Sequence, residues 1–245
     1  MLLRRITQHL KAQNWFAVFL DFLIVVVGVF IGIQVANWNE ERQLRVEEAK
    51  IFVRLSEDFA RIKQDSLRSR DFHEQLASDL RTLLRSLRAG VLADADIDAV
   101  KRALFLGTTI QTSADRSSTT QQLLSSGQAN ILSDKGLLDQ LTAYETFIDR
   151  HEQAMGYLLN NMVIMIPAFI GGVQLDIDQP FFSELLSSID VPPPVGEFDF
   201  AALASNKAFD NAAEEILVLQ NIALMWRMRI DGRIDDIQRR LEEIE

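Results

Sequence analysis

The sequence predicts an all-α protein: one N-terminal transmembrane helix that continues into a long coiled-coil-like helix, which packs in an extramembrane helical bundle. Three observations lead to this prediction. A single long apolar run lies near the N-terminus, the apolar residues after it recur at alternating spacings of three and four, and helix breakers are rare. Only 11 glycines and 5 prolines occur among 245 residues. No alternating pattern of useful length indicates a β-strand.

The apolar run covers residues 16–35 and contains one formal charge, Asp21. A helix of about 20 apolar residues crosses a hydrocarbon core of about 30 Å. Trp15 and Trp38 bracket the run, at the depths where indole rings prefer to lie in a bilayer. These two residues are the predicted interfacial anchors of a transmembrane helix.

We expect the chain to retain this helix as an anchor and not to lose it as a signal peptide. The run exceeds the roughly 7–15 apolar residues of a signal peptide, and no clean small-x-small cleavage site follows it. The chain then divides into a cytoplasmic tail over residues 1–14, a transmembrane helix over 15–38 and a periplasmic α-helical domain over 39–245, in a bacterial inner membrane. Lys and Arg flank the span on both sides, so the positive-inside rule leaves the orientation open.

The membrane helix carries a predicted contact with a partner helix. Gly28 and Gly32 form a G-x-x-x-G pattern, extended by Ala36, and such small residues let two membrane helices approach closely. Asp21 is an ionisable group within the span, and such groups usually face a partner or a watery cavity. The partner is another membrane protein or a second copy of the chain. Two alternatives stay open: glycine is common in membrane helices, and Asp21 can reach the interface.

After the membrane segment, the apolar positions of residues 52–87 form an unbroken heptad seam. No proline or glycine interrupts residues 37–89, so one helix should run from the membrane to Gly90. The middle of the seam is polar, at Ser66, Ser69 and His73. This layer either sets the register of a helical bundle, or lines a ligand site or senses pH.

Further helices are predicted beyond Gly90, and their ends are marked by capping residues and glycines. They are a short helix through Leu106, one over 120–126 closed by Gly127, one capped by Ser133 or Asp134, an apolar one over 155–173, and a last one from near Ser205. Residues 155–173 are interpreted as a buried bundle helix, although a second membrane span is the alternative. Prolines at 192–194 predict a stiff connector. Alternating acids and bases on the last helix indicate a solvated face.

Composition and motifs argue against several classes of function. The net charge of −10 disfavours nucleic acid as a partner, and the absence of cysteine excludes disulfides and thiolate chemistry. Asp94 opens a triplet of alternating aspartates, but the sixth position of a calcium loop would be Ala99. His151 and Glu152 begin like a zinc-protease helix, but Met155 stands where the second histidine belongs. We expect no cofactor and no enzyme activity.

Two segments carry a resemblance to a known family. The anchor ends in Ala36-Asn-Trp-Asn-Glu-Glu-Arg42, and Thr119-Thr-Gln-Gln-Leu-Leu-Ser-Ser-Gly127 follows in the middle of the chain. Together they resemble a family of uncharacterised bacterial single-pass membrane proteins with an Asn-Trp-Asn-Glu signature after the N-terminal transmembrane helix. The resemblance implies the same order of parts and an α-helical outer domain. It implies no activity, cofactor or catalytic residue.

These observations favour a membrane-anchored interaction or accessory protein that joins an inner-membrane assembly or associates with itself. The alternative is a periplasmic ligand-sensing domain that signals through a partner protein, since the expected cytoplasmic tail is too short to hold an output domain.

Overall fold

The computed structural model describes residues 15–171, 173–176 and 193–244, except for the side chains of Trp15 and Ala17. The predicted tail over 1–14 lies outside these residues, as does Pro192, the first proline of the predicted connector. The described residues divide into two compact units, one up to Ile51 and one from Phe52 onward, called here the C-terminal unit. The helices are α1 (Trp15–Ala89), α2 (Ile97–Leu106), α3 (Ser118–Ser125), α4 (Lys135–Ile170), α5 (Phe200–Ser205) and α6 (Lys207–Ile244); the strands are β1 (Val173–Leu175) and β2 (Val195–Phe198).

The described chain is all-α, as predicted, and its first helix is very long. Helix α1 runs for 75 residues without interruption. It ends before Gly90, which has φ +68, in the left-handed region that glycine adopts without strain. Along the predicted seam, only Phe52 is half-buried; the other positions are buried, including Leu55, Phe59 and Leu80. The heptad spacing therefore identified the packed face of α1 correctly.

Three long helices form the C-terminal unit. Helix α6 is antiparallel to α1, because Arg88 of α1 pairs with Glu214 near the start of α6 while Lys63 pairs with Asp235 farther along, at 2.8 Å. Helix α4 is antiparallel to α6: Phe169 stacks on Phe209, with ring centroids 5.3 Å apart, and Asp134 meets Arg240 at 2.8 Å near the other end. The main core lies between these helices and α2, which contributes Val100, Ala103, Leu104 and Leu106.

Two features differ from the sequence prediction. The predicted helix capped at residue 134 and the predicted helix over 155–173 form one helix, α4, because nothing between His151 and Met155 breaks it; this helix ends at Ile170, before the predicted end at 173. Pro167, which has no N–H to donate, lies in its last turn. A small two-stranded antiparallel sheet of β1 and β2, with Val173 opposite Phe198, was not predicted. Strands of three and four residues are too short to show an alternating pattern.

Candidate functional site

The predicted membrane contact residues lie on one side of α1. Asp21, Gly28 and Gly32 are spaced so that their directions around the helix fall within about 40° of one another. The described residues of this segment are exposed. A Cβ built on Gly28 or Gly32 would meet nothing within 4 Å. Ala36, one turn beyond Gly32, is also exposed. No described residue covers this face.

Two described helices are long and apolar enough to cross a membrane, α1 and α4. The apolar window of α1 is wholly exposed, as a lipid-facing helix would be, whereas 22% of the window in α4 is buried within the protein. Burial makes α4 the weaker candidate of the two. Trp38 is exposed, as an interfacial anchor requires. The side chain of Trp15 lies outside the described residues.

The predicted polar layer of α1 is buried, and two of its side chains face the backbone of the loop formed by residues 107–117. The Ser69 hydroxyl donates to the main-chain oxygen of Gln111 at 3.1 Å, and His73 Nε2 lies 3.2 Å from the same oxygen. His73 Nδ1 lies 2.8 Å from the side-chain oxygen of Gln220 in α6. Ser66 Oγ is buried and has no hydrogen-bond partner among the described residues. Ser69 and His73 thus lie beside Gln111, and His73 also contacts Gln220, whereas Ser66 is buried one turn earlier on the same face of α1.

Gln220 holds the other side of this layer. Its amide nitrogen donates to the main-chain oxygens of Gly107 and Thr109, both at 2.8 Å. The nitrogen therefore faces the loop, and the side-chain oxygen faces His73. A neutral imidazole has one N–H, but both nitrogens of His73 face oxygens, so two acceptors compete for one proton. Burial lowers the pKa of His73, although its hydrogen bonds to Gln220 and Gln111 act in the opposite direction.

A buried ion pair binds the same loop at Asp115, near its C-terminal end. Arg227 of α6 donates to both carboxylate oxygens of Asp115, at 2.7 and 2.8 Å. Its Nη2 also lies 2.7 Å from His151 Nε2. Because a guanidinium only donates, Nε2 must accept, and His151 carries its proton on Nδ1. Desolvation and the charge of Arg227 lower the pKa of His151 to about 4. Tyr144 donates its hydroxyl to the main-chain oxygen of Asp115 at 2.7 Å.

The end of the loop is capped from α1. Asp58 accepts hydrogen bonds from the Ser117 hydroxyl at 2.9 Å and the Thr119 amide at 3.0 Å. Ser117 in turn accepts from the Thr120 amide at 3.0 Å, as the N-cap of α3. Burial by itself would raise the pKa of Asp58, but these hydrogen bonds outweigh it and hold the pKa below its usual value. Side chains from α1, α4 and α6 therefore bind the same loop, residues 107–117.

The side chains that bind the loop form a buried network, which explains how this partly exposed polar segment is held against the helical bundle. Buried backbone groups need hydrogen-bond partners, and residues 107–117 obtain several from long-range side chains instead of a regular helix or strand. On the surface, Arg116 adds ion pairs to Glu145 at 3.0 Å and Asp149 at 2.6 Å. Within the described ranges, no group of three or more His, Asp or Glu side chains is placed to hold a metal ion.

The sequence prediction missed the α6 half of this network. Arg227 and Asp231 are buried, so the interpretation of the charged residues of α6 as a solvated face is wrong for these two. A signal was present: the buried positions of α6 continue the spacing of three and four through Gln220 and Arg227, as they do through the polar layer of α1. For Asp115, in a polar loop, the sequence offers no such signal.

The fold and the site define an all-α helical bundle with a buried polar network and a candidate N-terminal membrane helix. Comparison of the chain with protein-family models finds no match, and neither curated proteins nor solved structures give one. The resemblance to the Asn-Trp-Asn-Glu family therefore stays a prediction.

Replacing Gln220 by Leu is expected to lower the free energy of unfolding by about 2–3 kcal/mol, because it leaves the buried oxygen of Gly107 and the part-buried oxygen of Thr109 without their donor. Urea denaturation followed by circular dichroism measures the change. Gln121→Leu, on an exposed position of α3, is the matched control and should change stability by less than about 0.5 kcal/mol. Equal effects of the two substitutions would show that the network contributes little.

Proposed function

We propose that the chain is a membrane-anchored interaction protein, an accessory subunit or scaffold of a bacterial inner-membrane assembly. The single observation that carries this proposal is helix α1. Its first part is apolar and wholly exposed, and the helix continues without a break into the packed seam of the C-terminal unit. A helix of this kind anchors the protein and presents a surface within the bilayer.

The face with Asp21, Gly28 and Gly32 is the proposed recognition surface in the membrane. Without a hydrophobic driving force between helices in lipid, close packing and polar contacts drive their association. Two exposed glycines permit close packing, and Asp21 on the same side supplies a polar group that is costly to leave in contact with lipid. The occupant is a helix of another membrane protein or of a second copy.

The arrangement of the C-terminal unit supports a structural role over catalysis. Several of its buried polar side chains bind one another: His73 contacts Gln220, and His151 and Asp115 contact Arg227, whereas Ser66 Oγ has no hydrogen-bond partner among the described residues. The alternative role, ligand sensing at the polar layer, has less support. Gln111 and Gln220 occupy the space beside His73, so a ligand would have to displace them. In the proposed topology residues 1–14 are cytoplasmic and the C-terminal unit is periplasmic, because a short basic tail inside and a large acidic domain outside is the commoner arrangement.

Replacing Gly28 by Leu, or Asp21 by Leu, is expected to remove the proteins that co-purify with the intact chain in mild detergent. Leu at position 28 would hold the partner helix away, and loss of the Asp21 carboxylate would remove its polar contact. The measurement is quantitative mass spectrometry of the co-purified proteins. Val26→Leu is the matched control, since residue 26 lies on the opposite side of the helix. Unchanged co-purification in both variants would exclude this face as the recognition surface.

A further inference from the structure

The second half of α4 has two apolar faces, of which only one is packed. Its inner face is buried in the core, where the residues are Met155, Leu158, Met162 and Phe169. Its outer face is exposed over large side chains: Tyr157 is 70% exposed, Val163 62% and Ile164 68%. Leu159 and Ile170 are also partly exposed, but they lie at the edge of the buried face, more than a quarter turn from Tyr157 and Ile164. A helix that is apolar all round is normally covered all round.

The outer face of α4 also lacks charge. No Asp, Glu, Lys or Arg occurs from residue 153 to residue 175, although the exposed sides of α1 and α6 carry many such residues. Solvated helix faces keep charged side chains, which oppose association. An exposed face that is both apolar and uncharged over this length is typical of an interaction surface.

The spacing of the outer face indicates that its partner is a helix. Positions 157, 160, 164 and 167 alternate by three and four, which is the repeat of a helix–helix seam. Asn160 lies in the middle of this seam and is exposed. Its neighbour Asn161 instead donates its amide to the main-chain oxygen of Tyr157 at 3.1 Å. A single asparagine within an apolar seam sets the register of paired helices.

We propose that the outer face of α4 pairs with the same face of a second copy of this chain. In a two-fold interface residues near the axis meet their own counterparts, so a charged seam would repel itself and an uncharged one does not. Asn160 suits this position, because an amide both donates and accepts and can therefore bond to another Asn160. No described residue of the chain covers the face.

The area fits a weak dimer interface. The exposed parts of Tyr157, Val163 and Ile164 amount to roughly 400 Å² per copy, so pairing buries roughly 800 Å² of apolar surface in total, which is within the range of weak contacts. Such a contact is weak for free molecules and becomes effective when both copies are held in one membrane, which raises their effective concentration. The inference therefore rests on the proposed anchoring and names a second copy as a partner, but it uses a different surface from the glycine face of α1.

Single-cysteine cross-linking of the intact chain in its membrane tests this proposal directly, because the protein contains no cysteine of its own. Asn160→Cys is expected to give a disulfide-linked dimer under mild oxidation, seen as a doubled mass on a non-reducing gel. Ser78→Cys is the matched control: Ser78 is exposed on α1, and its variant should stay monomeric. Adding Ile164→Glu to Asn160→Cys should abolish the cross-link while circular dichroism shows the helix content unchanged.

The remaining outcomes overturn the proposal. If Asn160→Cys does not cross-link but reacts with a membrane-impermeant maleimide in opened vesicles, the face is open to water. If it neither cross-links nor reacts, something else covers the face, either lipid or residues 177–192 of the same chain. Equal cross-linking of Ser78→Cys would show random collision.

Repeating the test with Gly28→Leu separates the two proposals. A cross-link that persists while the co-purifying proteins are unchanged supports the α4 contact and rejects the glycine face.

Discussion

Replacing Arg227 by Met is expected to lower the free energy of unfolding by about 3–5 kcal/mol, because it leaves the buried Asp115 carboxylate without its counter-ion. Both side chains are almost fully buried, and the guanidinium binds both carboxylate oxygens. The same substitution removes the donor to His151 Nε2. Urea denaturation of the intact chain in mild detergent measures the loss. Trp226 fluorescence reports it locally, since this ring packs 5.2 Å from the ring of Phe147.

Two controls distinguish the buried charge from a general effect of losing an arginine. Arg239→Met removes an exposed pair with Asp236 and should cost less than about 1 kcal/mol. Adding Asp115→Asn to Arg227→Met removes the unpaired charge and should restore part of the lost stability. If Arg227→Met were no more destabilising than Arg239→Met, the ion pair would not hold the loop in the bundle.

Lowering the pH from 6.5 to 4 is expected to destabilise the C-terminal unit by about 3 kcal/mol through His151 alone. In the unfolded chain this histidine binds a proton near its ordinary pKa of 6.5, whereas in the folded protein burial and Arg227 lower the pKa to about 4. Between these values the unfolded state binds more protons, so stability is full above 6.5 and falls as the pH decreases. His73, whose pKa is also lowered, acts in the same direction.

The measurement is the urea midpoint at a series of pH values, for the natural chain and for His151→Gln. Glutamine keeps an acceptor oxygen for Arg227 and does not titrate, so the variant should show a flatter profile between pH 6.5 and 4. The carboxylates that face His151, Asp115 and Glu152, oppose the effect of Arg227 but do not exceed it. An equally steep profile in His151→Gln would assign the acid sensitivity to other groups.

Much of the helical framework could be predicted because its signals are local. The absence of breakers between residues 37 and 89 predicted the continuous α1, and Gly90 and Gly127 both adopt positive φ at the predicted ends. Asp134 caps α4 by accepting from the Leu137 amide, one of the two predicted possibilities. The heptad seam on α1 identified its buried side, including the polar positions. Each of these features depends on residues within a few turns of one another.

The outer face of α4 shows where a local pattern is insufficient. The apolar composition of residues 155–173 predicted a buried bundle helix, and one face is buried. The opposite face, with Tyr157 and Ile164, is exposed among the described residues because α6 and the core occupy only one side of the helix. The hydropathy of a segment shows that it is apolar. How many other elements pack around it depends on how the whole chain folds.

The sequence by itself determined the all-α class, the extent of α1, the apolar segment that can cross a membrane, and the buried polar layer on α1. Only the tertiary structure decided what that layer binds. His73 meets Gln220 across 147 positions of sequence, and Arg227 meets Asp115 across 112. A polar side chain is stable in the interior only where its partners are brought to hydrogen-bonding distance. For these residues the partners come from a different helix and from a loop, so their burial is a property of the packed bundle and not of any one segment.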